Sequence, residues 1–287
     1  MDKELIAHLN YLLCTKIDRV SAISGGDISR AYLLESETEK FFIKVNGQKN
    51  ALSMFVAERN GLQTILKTNT LSVPRPFHVE PYNEGGFILM EYVESKTATS
   101  KEMALFGRQL ARMHQKLGDN GFGMEQDNFI GSLGQSNKTH QDWASFYVEE
   151  RLLPQMQLAF DKGLLNRTDT PNEEKMVAVC NNLFPKVNPS LLHGDLWSGN
   201  FLISNNGVPF LIDPAVYYGH HEVDIAMTKL FGGFGDSFYN SYREIIPREP
   251  GEEERMDIYQ LYYLLVHLNL FGSSYGPPVK RILSAYF

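Results

Sequence analysis

Residues 191–203 read LLHGDLWSGNFLI, an apolar stretch that is interrupted by His193, Asp195 and Asn200. A second apolar stretch, PFLIDPA, follows within ten residues and is interrupted in the same way by Asp213. A carboxylate that leaves water needs a cation, a metal ion or several hydrogen-bond donors. Two carboxylates and an amide at the ends of neighbouring strands would therefore form an oxygen-rich site, and oxygen ligands suit Mg²⁺.

The segment that joins the two stretches predicts a hairpin. Phe201–Ile203 and Phe210–Ile212 are short apolar strand patterns, and the Asn206-Gly207 pair between them is a strong turn signal. The hairpin would hold the polar residues that flank it close together.

The spacing D-x-x-x-x-N, from Asp195 to Asn200, is that of a kinase catalytic loop. In such a loop the aspartate orients the acceptor hydroxyl and takes its proton, and the asparagine holds a metal ion. A further aspartate after the next strand, here Asp213, bridges the metal ion to the phosphates of the nucleotide. We therefore predict Asp195 as the catalytic base, Asn200 and Asp213 as metal ligands, and ATP and Mg²⁺ as cofactors.

Candidates for the other half of such a site lie in the first hundred residues. Lys44 is the polar residue of the strand pattern FFIKV and would pair with the phosphates, and Glu58, on the following helical pattern, would hold this lysine. The segment FILMEYV would place backbone groups of Glu91 and Val93 against adenine. The turn SGGDIS could cover the phosphates with backbone N–H groups. The candidates in this turn are Gly25, Gly26, Asp27, Ile28 and Ser29.

Each candidate also has a simpler structural interpretation. Lys44 could be an edge-strand lysine, Glu58 a surface helix residue, Glu91 a solvated strand end and Asn200 a residue that only closes the turn. SGGDIS could be an ordinary hairpin turn. We favour a nucleotide site because the pieces occur in the expected order and because both aspartates interrupt apolar runs.

The composition excludes several classes of protein. The 287 residues are 43% hydrophobic, and 27 Lys and Arg against 34 Asp and Glu give a net charge of −7. An acidic balance argues against a general nucleic-acid binder, which needs a basic surface. No stretch resembles a secretory signal peptide or reaches the length of a membrane span. We expect a cytoplasmic protein whose two cysteines, Cys14 and Cys180, are buried thiols.

The pattern of predicted elements indicates an α+β fold with two lobes. Strand patterns dominate the first ninety residues, and helical patterns follow a capping-box sequence at Thr99 and Glu102. We predict a nucleotide-binding lobe over 1–93, a hinge over 94–98 and a helical lobe over 99–287. The predicted strands of the first lobe are 20–23, 31–35, 41–45, 73–81 and 86–93, and the predicted helices of the second include 142–162, 172–184, 222–231 and 253–271.

Several motifs together resemble the fructosamine kinase family, also called ketosamine-3-kinases. They are HGDLWSGN, GGDISRAY and DPAVYYGHHEVDIAMTKLFGGF, with MEYVES, LARMHQ and NFIGSLGQSN between them, and they extend over nearly the whole chain. This family is similar to the aminoglycoside and choline kinases, which share the protein-kinase-like bilobal fold. The resemblance implies phosphorylation of the 3-hydroxyl of a ketosamine, a sugar adduct on an amine or lysine. The family's products are unstable and release the amine, so the implied process is deglycation.

The resemblance also implies roles for individual residues. Asp195, Asn200 and Asp213, with the Lys44–Glu58 pair, would have the kinase roles given above. Asp224 would brace the catalytic loop, with His193 as a second structural residue. Trp197 would face the acceptor sugar, although a core tryptophan is the alternative. His221 stands where the family commonly has arginine, so the role of an arginine there is in doubt.

Three other interpretations stay open at this point. The chain could be another small-molecule kinase of the same fold, acting on an aminoglycoside, choline or a hydroxylated metabolite. It could be a nucleotide-binding pseudokinase, which the intact polar residues argue against. His193, His220 and His221 could also form a transition-metal site, but they lack the usual ligand spacing. The sequence does not give the oligomeric state.

Overall fold

The computed structural model describes residues 1–23, 28–167 and 170–287. Its first part is a five-stranded antiparallel sheet accompanied by two helices. The elements are α1 (Lys3–Leu13), β1 (Arg19–Ile23), β2 (Arg30–Glu35), β3 (Lys40–Asn46), α2 (Ala51–Lys67), β4 (Pro76–Tyr82) and β5 (Gly85–Glu91). The strand order in the sheet is β1-β2-β3-β5-β4. The five strands confirm the strand-rich start that the sequence predicts.

Helix α1 is an element that the sequence patterns did not reveal. Asp2 caps its first turn by accepting a hydrogen bond from the backbone N–H of Leu5 (2.8 Å). The buried side chains of Leu5 and Leu9 pack against one face of the sheet. The helix ends at Cys14, which has a left-handed backbone conformation and an exposed thiol. The prediction of two buried thiols is therefore correct for Cys180 and wrong for Cys14.

The second part of the chain is mainly helical. Its helices are α3 (Ser100–His114), α4 (Trp143–Phe146), α5 (Leu153–Asp161), α6 (Glu173–Leu183), α7 (Glu222–Leu230), α8 (Gly235–Arg243), α9 (Glu252–Phe271) and α10 (Gly276–Tyr286). Helix α3 begins with the predicted capping box, in which Thr99 and Glu102 bond each other's backbone N–H groups. Helix α9 is buried along most of its length and forms the centre of this part.

The single helix predicted over 142–162 is divided into three segments. Between α4 and α5 the residues Tyr147–Leu152 form a π-helix. Pro154, in the first turn of α5, has no N–H to donate to a carbonyl of the preceding turn. We attribute the π-helical turn to this missing donor, since π-helical segments occur where the regular pattern of α-helical hydrogen bonds is interrupted.

Short strands position the loops of the second part. They are β6 (Ser95–Lys96), β7 (Asn128–Ile130), β8 (Leu133–Gln135), β9 (Ser190–Leu192), β10 (Phe201–Ser204), β11 (Pro209–Leu211) and β12 (Tyr217–Gly219). The antiparallel β10–β11 pair is the predicted hairpin. Strand β9 pairs with β12.

The segment predicted as a polar hinge contains a strand. Strand β6 pairs with β10, and the backbone N–H of Asn205 donates to the carbonyl of Glu94 (3.0 Å). The larger hydrophobic cluster also contains side chains from both sides of this segment, including Phe55 of α2 and Phe106 of α3. The division into lobes at 94–98 stays a prediction. In the described ranges, no helix has the length and apolarity needed to cross a bilayer.

Candidate active site

The loop between β9 and β10 carries the interrupted sequence HGDLWSGN. It is closed by a backbone hydrogen bond from the N–H of Asn200 to the carbonyl of Trp197 (3.0 Å). It is tied to the segment around Asp213 by two more backbone bonds. The N–H of Ala215 donates to the carbonyl of His193 (2.9 Å), and the N–H of Ile212 donates to the carbonyl of Asn200 (3.1 Å). The hairpin thus brings both apolar runs and their polar residues to one place.

Asn200 holds Asp195 through its amide nitrogen. This nitrogen donates to the backbone carbonyl of Asp195 (2.7 Å) and to its carboxylate Oδ2 (3.1 Å). Both bonds use the nitrogen, so the amide oxygen is the group of Asn200 that could meet a cation. Burial and the nearby charge of Asp213 raise the pKa of Asp195 to about 7, although the bond from Asn200 opposes this shift.

Lys44 connects the sheet to the hairpin. Its Nζ donates to the carboxylate of Glu58 (2.8 Å) and to the carboxylate of Asp213. Burial favours the neutral amine, but the charges of Asp213 and Glu58 outweigh it and raise the pKa of Lys44. The same lysine keeps the pKa of the partly exposed Asp213 carboxylate below its ordinary value. For Glu58 burial prevails over the shared lysine, and its pKa rises to about 7.

Three residues predicted from distant parts of the sequence therefore lie in contact. Strand β3 contributes Lys44, α2 contributes Glu58 and the end of the hairpin contributes Asp213. Asp213 has a left-handed backbone conformation with a φ of 54°, which is uncommon for a residue other than glycine. Residues in such sparsely populated conformations concentrate at functional sites.

Asp224, at the start of α7, holds the loop between β9 and β10 in place. Its carboxylate is fully buried and accepts hydrogen bonds from the backbone N–H groups of His193 (2.7 Å) and Gly194 (2.9 Å). It also bonds Nε2 of His114 (3.0 Å), whose Nδ1 meets the hydroxyl of Tyr242 (2.7 Å). Burial would raise the pKa of Asp224, but His114 and the loop donors lower it. Sequence reasoning missed His114, although it lies in the quoted motif LARMHQ.

His193 is a structural residue of this loop. Its Nε2 lies 2.9 Å from the carbonyl of Ile212, and its Nδ1 accepts from the backbone N–H of Asp195 (3.3 Å). These partners suit a neutral ring with the proton on Nε2. Burial lowers the pKa of His193, which agrees with a neutral ring.

Trp197 does not belong to the core. Its side chain is 41% exposed, whereas the second tryptophan of the chain, Trp143, is buried. The alternative of a core tryptophan is therefore wrong, and the indole is free to meet a ligand. Contact with an acceptor sugar stays a prediction.

The turn predicted to cover the phosphates is described only at its end. Gly25, Gly26 and Asp27 lie outside the described residues. The side-chain amide of Asn46, buried at the end of β3, donates to the carbonyl of Ile28 (3.0 Å) and to the hydroxyl of Ser29 (3.3 Å). Asn46 is a second residue that the sequence analysis missed, since an asparagine after an apolar strand suggests only a turn.

Glu91 ends β5 and is bonded to Arg75. The backbone N–H of Glu91 donates to the carbonyl of Arg75 (2.9 Å), and its carboxylate accepts from the N–H of Arg75 (3.1 Å). Val93 follows two residues later, outside the strand. Contacts of Glu91 and Val93 with adenine stay predictions.

The histidine pair at 220 and 221 is not well placed to bind a metal ion. His220, His221 and Glu222 have ligand atoms close together, but Glu222 already forms a two-bond ion pair with Arg255 (2.6 and 2.7 Å). Burial, with neighbouring histidines and arginines, lowers the pKa of both rings. A metal ion would have to displace Arg255, so the transition-metal interpretation is disfavoured. His193, the third predicted ligand, uses both ring nitrogens elsewhere.

Comparison with known proteins agrees with this geometry. The family model described as fructosamine kinase matches residues 1–287. The chain is 41% identical over 279 residues to the chloroplastic protein-ribulosamine 3-kinase of Oryza sativa subsp. japonica, covering 95% of this chain and 80% of that protein. The crystal structure of a putative fructosamine-3-kinase from Haemophilus somnus superimposes with a TM-score of 0.87 at 30% identity, covering 99% of this chain and 96% of that one.

A more distant structure supports the fold alone. An aminoglycoside phosphotransferase in a ternary complex with ADP and hygromycin B matches with a TM-score of 0.64 at 15% identity, over 99% of both chains. The protein-kinase-like α+β fold predicted from the sequence is thereby confirmed.

Proposed function

The chain belongs to the fructosamine kinase family, and from that membership we propose that it phosphorylates the 3-hydroxyl of ketosamines with ATP. One observation carries the proposal at the level of chemistry. A lysine and a glutamate from the sheet and α2 meet the aspartate at the end of the catalytic hairpin. This arrangement supports phosphoryl transfer, in which catalysis is mostly positioning and stabilisation of charge.

We propose that Asp195 orients the acceptor. The sugar 3-hydroxyl attacks the γ-phosphorus of ATP, the bond from that phosphorus to the oxygen bridging to ADP breaks, and the hydroxyl proton passes to the Asp195 carboxylate. A carboxylate within reach of the acceptor hydroxyl can take its proton as the new bond forms. Asn200 would keep the carboxylate in place through its bond to Oδ2.

The donor set fits a magnesium ion. The Asp213 carboxylate and the Asn200 amide oxygen are the hard oxygen ligands that Mg²⁺ takes in nucleotide sites, where phosphates and water complete the shell. When bound, the ion would neutralise charge on the transferred phosphoryl group. Lys44, held by Glu58, would pair with the phosphates.

The substrate class rests on the family. The rice relative is named for ribulosamine, and the Haemophilus structure is a putative fructosamine-3-kinase. We expect ribulosamines to be used at least as well as fructosamines, with the exposed Trp197 indole offering an apolar face to the sugar. Phosphorylation would then lead to release of the amine. A cytoplasmic location stays a prediction.

A panel of acceptors tests the proposal. ADP release would be measured with Mg-ATP and ribulosyl-lysine, fructosyl-lysine, kanamycin or choline, with Asp195→Asn as the inactive control. We expect turnover with one or both ketosamines. Turnover with kanamycin or choline and none with either ketosamine would assign the chain to another small-molecule kinase. ATP binding without turnover of any acceptor would favour a pseudokinase.

A further inference from the structure

Gly199 lies directly beneath the indole ring of Trp197. A methyl group added at Gly199 would be 2.3, 2.4 and 2.8 Å from the ring carbons Cη2, Cζ2 and Cζ3. Carbon atoms that are not bonded attract each other best at about 3.5–4.0 Å, so the ring would have to move by about 1 Å or more. The indole therefore lies against the bare backbone of the loop, and Trp197 as a whole is 41% exposed.

We propose that Gly199 is a positioning residue for acceptor recognition: it has no side chain, so the Trp197 ring can lie against the catalytic loop and face the acceptor. The inference rests on the proposed function, because it assigns Trp197 to the sugar site. It adds the reason why the ring has a fixed place there.

The backbone itself does not require glycine at this position. Gly194 and Gly207 have left-handed φ angles of 85° and 80°, where a side chain is strained, but the φ of Gly199 lies outside that region. The atoms that a methyl group would approach most closely all belong to the Trp197 ring. Alanine at position 199 would thus fit the backbone conformation, but its methyl group would clash with the indole ring.

The position of the ring is coupled to the catalytic residues through one short turn. The backbone N–H of Trp197 lies 3.2 Å from the carbonyl of Asp195, and the N–H of Asn200 donates to the carbonyl of Trp197 (3.0 Å). A ring that is fixed on this turn has a fixed distance from the catalytic carboxylate. A displaced ring would hold the sugar hydroxyl less well while leaving the nucleotide contacts in place.

A double-mutant cycle tests this assignment. The variants are Gly199→Ala, Trp197→Ala and the double variant, and KM for the ketosamine and for ATP is measured for each. One apolar contact changes specificity by about 10- to 100-fold, so we expect Gly199→Ala to raise the ketosamine KM by about tenfold and to leave the ATP KM unchanged. The double variant should behave like Trp197→Ala alone, because the methyl group then has no ring to displace.

Gly134→Ala is the matched control. Gly134 is exposed on β8, has no left-handed φ and would place a methyl group in open space. We expect wild-type values of KM for both substrates. An equal effect of Gly199→Ala with and without the indole would overturn the proposal, because the methyl group would then act through the backbone. Failure of both Gly199→Ala proteins to fold would overturn it for the same reason.

Tryptophan fluorescence tests the same contact without substrate. Trp143 is buried, so quenching by acrylamide reports mainly on Trp197. Gly199→Ala should increase the quenching constant, and Trp197→Ala should abolish the accessible fraction. An unchanged quenching constant in Gly199→Ala would overturn the proposal. This measurement stays decisive if no ketosamine is turned over, a result that would refute the proposed function separately.

Discussion

Replacement of Asp224 by asparagine should both destabilise the protein and slow catalysis. The carboxylate accepts from His193 N, Gly194 N and His114 Nε2 at 2.7, 2.9 and 3.0 Å. Asparagine keeps one oxygen and directs an NH₂ group at a donor, so at least one buried bond is lost. A hydrogen bond to a charged group contributes about 1.5–3 kcal/mol, and we expect a loss of that size.

The effect should depend on pH in a defined direction. The folded-state pKa of Asp224 is lower than its ordinary value, because His114 and the loop donors outweigh burial. A lowered pKa contributes stability above the unfolded-state pKa, and that contribution disappears as the pH falls through the folded value. The difference between wild type and Asp224→Asn should therefore be full at pH 7 and should shrink below about pH 4.

Urea unfolding of the nucleotide-free protein measures the stability difference. Asp257→Asn is the control, since the side chain of Asp257 is 31% exposed and contacts Tyr286 and the exposed Arg281. We expect less than about 1 kcal/mol for the control. Displacement of the loop should also reduce kcat about 100-fold, since a shift of 1 Å at a reacting group has an effect of this order. Wild-type stability and kcat in Asp224→Asn would refute the bracing role.

Three further predictions concern the catalytic residues and the cysteines. Asp195→Asn should lower kcat by about 10²–10⁴-fold with ATP affinity largely kept, and near-normal turnover in single-turnover assays would contradict the assignment. Asp213→Ala should weaken Mg²⁺-dependent nucleotide binding more than Asn200→Ala, because it removes a charged ligand; unchanged Mg²⁺ titrations for both would place the ion elsewhere. A thiol reagent at pH 8 should label Cys14 rapidly and Cys180 only on unfolding, since burial raises the pKa of Cys180 to about 12. Equal labelling rates would show that the α6 region opens readily.

Much of the site could be predicted because its residues break a pattern. Asp195 and Asp213 interrupt apolar runs, and Lys44 interrupts an apolar strand, so each signals a functional reason for its presence there. The spacing from Asp195 to Asn200 and the hairpin signal then fix their relative positions. The hydrogen bond from Asn200 to Asp195 follows from that local geometry, whereas the bond from Lys44 to Asp213 joins residues 169 apart and comes from packing of the sheet against the hairpin.

Other residues could not be predicted because their partners are distant in sequence. His114 follows an amphipathic helix pattern and reads as its polar end, yet it bonds Asp224, 110 residues further along the chain. Arg255 begins a helix among charged residues and reads as exposed, yet it is buried against Glu222. In each case the packing of helices brings the ionic partner into contact, and local spacing in the sequence does not predict that packing.

The charge balance explains why the catalytic hairpin and the sheet need each other. Asp195, Asp213 and Glu58 bring three carboxylates close together, of which Asp213 is 43% exposed, while Lys44 is their single close cation among the described residues. The charge of Lys44 keeps the pKa of Asp213 below its ordinary value, whereas the pKa values of Asp195 and Glu58 stay near 7. A divalent ion beside Asp213 would favour the ionised carboxylates. The free site thus has more negative than positive charge, which is unfavourable in the absence of a ligand. The same imbalance would favour the binding of a metal–nucleotide complex.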